Sequence, residues 1–81
     1  MKCGDIVLNH WAGPFNPIRF FVFIEDNGEC SKVIHFNGKR LTTGNYYSAD
    51  LKTDEFEVVG HIPLKETIKS ELLKRLGVSD A

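Results

Sequence analysis

The chain is short of most features that identify a protein from its sequence. Two cysteines, Cys3 and Cys30, in 81 residues are too few for the disulfide framework of a small secreted domain. No apolar run approaches the roughly 20 residues needed to cross a bilayer. The start, Met1-Lys2-Cys3-Gly4-Asp5, has no apolar stretch behind a basic region, so no secretory signal is read there and the expected setting is cytoplasmic and reduced. Neither sign of charge predominates. Ten Lys and Arg face eleven Asp and Glu, a formal net charge of −1. Residues 1–45 hold five basic against four acidic side chains, and residues 46–81 five against seven. The basic excess or stripe of a nucleic-acid binder is therefore missing. Also missing are charged tails, low-complexity segments and the glycine loops that cradle nucleotide phosphates.

What is present suits one folded domain spanning residues 1–81. Hydrophobic residues make up 42% of the chain and charged residues 26%, ordinary for a globular protein. A chain this small buries only about 60% of its unfolded surface, so it needs a compact core or a partner.

Organisation centres on Ile18 to Glu25, Ile-Arg-Phe-Phe-Val-Phe-Ile-Glu. Pro17 before it and Asp26-Asn27-Gly28 after it bound a strand rather than a helix. Alternation puts Ile18, Phe20, Val22 and Ile24 on one face and Arg19, Phe21, Phe23 and Glu25 on the other. Both faces are apolar in the middle, so the strand needs cover on both sides. A first strand is expected over Lys2 to His10, entered through Gly4-Asp5. An irregular stretch from Trp11 to Pro17 follows, with two prolines and a glycine. A third strand is expected over Cys30 to Phe36. Asn37-Gly38 is a strong hairpin signal, leading into a fourth strand over Lys39 to Thr43 that Gly44 and Asn45 should break. Tyr46 to Asp54 reads as a loop with a short turn. A fifth strand should run from Glu55 to Ile62.

At Pro63 the period changes. Leu64, Ile68, Leu72 and Leu76 recur every four residues, with Leu73 beside them, which predicts an amphipathic helix over 63–77. Pro63 suits its start, and Gly77 suits its end. The expected class is mainly β: a five-stranded antiparallel barrel over 1–62 and one C-terminal α-helix. The helix stripe should pack on the spare face of the central strand, where Phe21 and Phe23 are the expected contacts.

Five short strands opened by Gly4-Asp5-Ile6-Val7 resemble an SH3-like small barrel. Gly4-Asp5-Ile6-Val7, the Gly/Pro loop, and Pro17-Ile18-Arg19 leading into Val22-Phe23-Ile24 are similar to the start of the PemK/MazF-type endoribonuclease toxins. That similarity covers about the first third of the chain. In that family the arginine precedes a proline and helps cleave RNA; here Phe20 follows Arg19, and the activity is not carried over. The segment Asn9 to Asn16 and the stretch Phe56 to Ile62 also resemble small uncharacterised prophage proteins, which implies no activity.

One stretch gathers binding chemistry. The loop from Asn9 to Arg19 holds His10, Trp11, Phe15, Asn16 and Arg19, aromatic area with polar groups as a binding hot spot requires. Its bland alternative is that Trp11 and Phe15 plug the open end of the barrel. His10, His35 and His61 lack local ligand spacing, so no metal site is expected, and no cofactor. Cys30 and Ser31 with His35 are the local nucleophile candidates, but residues four apart on a strand are roughly 13 Å apart, too far to bond. No catalytic residue is expected. The leading expectation is a non-catalytic interaction module binding a protein partner through the Trp11 loop, as a monomer or homodimer. An RNA-binding or RNA-cleaving barrel using Arg19 is the first alternative. A subunit that self-associates through Phe21, Phe23 and the helix stripe is the second.

Overall fold

The computed structural model describes residues 1–36, 39–65, 70, 71 and 74. Its strands are β1 (Asp5–Asn9), β2 (Phe20–Asp26), β3 (Cys30–Phe36), β4 (Leu41–Tyr47) and β5 (Phe56–His61). They form one antiparallel sheet in the order β4-β3-β2-β1-β5. The first four strands are a meander, and the last returns to pair with the first, from Asp5 opposite His61 to Asn9 opposite Phe56. The mainly β class is as expected. The sheet itself is open, because β4 and β5 end its hydrogen-bonded order.

Local chemistry explains where the strands begin and bend. Pro17–Arg19 is a 3₁₀ turn rather than the opening of the central strand. Asn16 Oδ1 accepts the Ile18 N–H at 3.0 Å, and proline in the first turn gives up no bond because its missing N–H had no partner there. The strand therefore starts at Phe20. Between β2 and β3, the Asp26 carboxylate accepts the Gly28 N–H at 2.8 Å, and Gly28 takes φ +101°, which glycine adopts freely. The register shifts between Phe23 and Glu25 on β2 and between Ile6 and Val7 on β1. Such irregularities bend a sheet. They also break simple alternation along β5: Gly60 pairs with Ile6, while Val58 pairs with Val7.

The fourth strand does not break at Gly44 but runs through it to Tyr47. A Cβ on Gly44 would lie 3.1 Å from the His35 ring on β3. The glycine is there for the neighbouring side chain. What reads as loop from Tyr46 onward is the end of this strand, followed by a 3₁₀ turn at Asp50–Lys52.

One face of the sheet buries Val7, Phe21, Phe23 and Val33, capped by Leu51 from that turn, with Tyr46 and Phe56 packed alongside. Phe21 and Phe23 thus belong to the main core, not to a spare face open to a helix or a second copy. Ile24 and Ile34 lie in a second cluster with Val22 and Leu64. Around it is an apolar hollow of about 330 Å³, lined also by Ile6, Phe20, Phe36, Leu41 and Ile62. Leu64 packs on this cluster, so the chain leaving β5 crosses this face. Each fully buried large apolar side chain contributes roughly 1.5–3 kcal/mol. Asn37-Gly38 and most of the expected helix over 63–77 lie outside the described residues. Within that span Pro63, Leu64 and Lys65 have no regular structure, while Ser70, Glu71 and Lys74 are helical. Among the described residues no helix is long and apolar enough to cross a membrane.

Candidate functional site

The segment after β1 is held by three hydrogen bonds that the sequence does not announce. Asn9, the last residue of β1, is wholly buried, and its Oδ1 accepts the Trp11 N–H at 3.1 Å. The His10 N–H donates to the Glu55 carbonyl at 2.8 Å, tying the segment to the entry of β5. Arg19 reaches back to donate from Nη1 to the Ala12 carbonyl at 2.6 Å, and Ala12 is buried. The loop is therefore strapped at both ends.

The five loop residues go to different places. Trp11 is 71% exposed and is not a core plug. It lines a hollow of about 340 Å³ with Asn9, Tyr46, Asp50, Thr53, Glu55 and Phe56. Phe15 is 99% exposed, at the loop tip. His10 turns to β5, its Nε2 2.9 Å from Glu57 Oε1. Asn16 caps the 3₁₀ turn, and Arg19 holds the loop carbonyl. Of the five, only Trp11 lines that hollow.

Two of its walls are aromatic rings from outside the loop where the site was expected. Tyr46 and Phe56 stand on opposite edge strands, ring centroids 5.7 Å apart and nearly perpendicular. Phe21 stacks under Tyr46 at 5.0 Å. Burial raises the Tyr46 phenol above its ordinary value near 10. A second hollow of about 330 Å³, lined by Cys30, Asn45, Tyr46, Tyr47 and Asp50, adjoins the first through Tyr46 and Asp50. Asn9 was hard to foresee, since a polar residue ending a strand usually faces solvent. Tyr46 and Asp50 were hidden by reading their segment as loop.

The other polar constellations are self-contained. Asp5 accepts the Lys2 N–H at 2.7 Å and lies 2.8 Å from His61 Nδ1. The Lys2 bond, followed by the His61 contact, holds its carboxyl below the usual value. Asp26 is lowered likewise, by the Gly28 N–H and then by Ser48 Oγ. Glu25 lies 3.6 Å from Lys32. His35 Nδ1 sits 3.2 Å from the Phe36 carbonyl, so the three histidines have three separate surroundings. Cys3 and Cys30 are half-buried and form no disulfide with each other. No protein-family model, curated protein or solved structure matches the chain.

Proposed function

We propose that the chain is a non-catalytic interaction module, an SH3-like bent sheet that binds a protein partner in the hollow beside Trp11. The carrying observation is that Trp11 is both exposed and anchored. Its backbone is fixed on the buried Asn9, so little ordering remains to oppose binding, and its ring offers the large rigid area that anchors interfaces. Tyr46 and Phe56 extend that area into a concave wall, and the adjoining hollow gives an extended segment room to continue. The meander with its last strand returned to the first supports the SH3-like reading, with the aromatic contact between β4 and β5 in place of closure. Arg19 supports the protein-binding reading over an RNA one, since its guanidinium is engaged with Ala12.

The test is selection of short random peptides on the folded protein, counter-selected on Trp11→Ala. Peptides that shift Trp11 emission and bind the variant at least about tenfold more weakly, with its unfolding midpoint unchanged, support the module. Peptides that bind both proteins alike defeat it.

A further inference from the structure

Carboxylates elsewhere on the described sheet have partners within the chain: Asp5 has Lys2 and His61, Asp26 has Gly28 and Ser48, Glu57 has His10, and Glu25 has Lys32. Asp50 and Glu55, off the strands, differ, as do Glu29 and Asp54, but only the first two line the Trp11 hollow. Asp50 and Glu55 are both exposed, and among the described residues neither has an ion-pair partner. No described Lys or Arg lines this hollow or the one adjoining it. Lys52, in the same turn as Asp50, lines a separate hollow with Asp26. The remaining walls are the faces and edges of Trp11, Tyr46 and Phe56.

A second observation points to a ligand independently of the acids. Asn9 lines the same hollow and is completely buried, and its Nδ2 is a buried donor without a partner. The amide cannot be turned over to remove the difficulty, because Oδ1 is needed to accept the Trp11 N–H. A buried donor left unmade is unfavourable, and a ligand oxygen would satisfy it.

Aromatic faces attract a cation through their quadrupoles, carboxylates attract it through charge, and an amide donor seeks a carbonyl. Resting on the interaction-module reading above, we propose that the Trp11 hollow seats a lysine or arginine side chain of a peptide segment. Asp50 and Glu55 face its charge, and Asn9 Nδ2 donates to a main-chain carbonyl beside it.

The peptides selected on wild-type protein carry the test. The expected result is a Lys or Arg shared at one position. Its replacement by norleucine weakens binding about tenfold, and so does Asp50→Asn with Glu55→Gln in the protein. The two changes together are no worse than either alone, because they remove the same contact. Unfolding midpoints of the variant and of Glu55→Gln alone confirm that both fold. Selected peptides that need Trp11 but share no basic residue, or that bind the acid-to-amide variant equally well, overturn the cation seat and leave the module standing. Failure of any peptide to distinguish wild type from Trp11→Ala overturns both.

Discussion

Tyr46 on β4 and Phe56 on β5 meet ring to edge, with centroids 5.7 Å apart, across the two strands that end the hydrogen-bonded order of the sheet. The sheet is drawn round by side chains where its backbone leaves off. Phe56→Ala should therefore be destabilising beyond its partial exposure, by about 2–4 kcal/mol, read from the urea midpoint. It should also shift Trp11 emission, since both residues line one hollow. Tyr46→Phe should leave stability nearly unchanged and remove the phenol that ionises above the ordinary range, visible in a near-ultraviolet pH titration.

Among the described residues two glycines take positive φ, and they should respond differently to alanine. Gly4, at φ +96°, bonds both neighbours: its N–H donates to the Phe23 carbonyl and its carbonyl accepts the Ile62 N–H, each at 2.8 Å. A Cβ there would collide with the Ile62 carbonyl oxygen. Gly28, at φ +101°, has open space around it. Gly28→Ala should cost about 1–2 kcal/mol, the backbone strain alone. Gly4→Ala adds displacement of β5 and should lose clearly more, with β5 amides losing hydrogen-exchange protection first.

Asp5 sets an acid limit. Its carboxyl is held below 3.8 by the Lys2 N–H first and by His61 next. A carboxyl lowered in the folded state adds stability above its unfolded value and loses it as pH falls through the folded one. Stability should decline below about pH 4. Asp5→Asn should flatten that decline and lower the neutral-pH plateau, as urea midpoints taken from pH 2 to 7 would reveal.

A short relay offers another variant. Ser48 Oγ donates to Asp26 Oδ1 at 2.9 Å, so the Ser31 hydroxyl, 2.8 Å away, must donate to Ser48. Both serines are buried. Ser48→Ala strands the Ser31 proton and should destabilise by about 1–3 kcal/mol. Ser31→Ala keeps the bond to Asp26 and should cost less. Equal effects in thermal unfolding would contradict the direction of the relay.

Much of this architecture was legible in the chain. β3 has the bounds its composition implies, and the apolar run around Phe21 is the central strand, buried on the Phe21 and Phe23 face and only partly covered on the Phe20 and Val22 face. The errors share a cause: residues with a local preference were serving a distant neighbour. Gly44 reads as a breaker but clears space for His35, nine residues back. Ile18-Arg19 reads as the opening of the strand until Asn16 is seen capping a turn over Pro17–Arg19, a signal that Asn-Pro did carry. The loop after β1 reads as the candidate site, yet the residues that line the hollow beside Trp11, namely Tyr46, Asp50, Glu55 and Phe56, come from outside it, on β4, β5 and the turns between them. Their approach depends on the return of β5, which no local pattern encodes.

That return also governs the order of assembly. β2, β3 and β4 pair with sequence neighbours, but β1 is completed only by β5, with Asp5 and His61 joined across 56 positions. Long separations slow folding, because closing the loop precedes any reward. On a chain emerging from the ribosome, the outer edge of β1 stays bare until His61 has appeared, exposing N–H and C=O groups to any passing strand. The earliest strand of this sheet is the last to be covered.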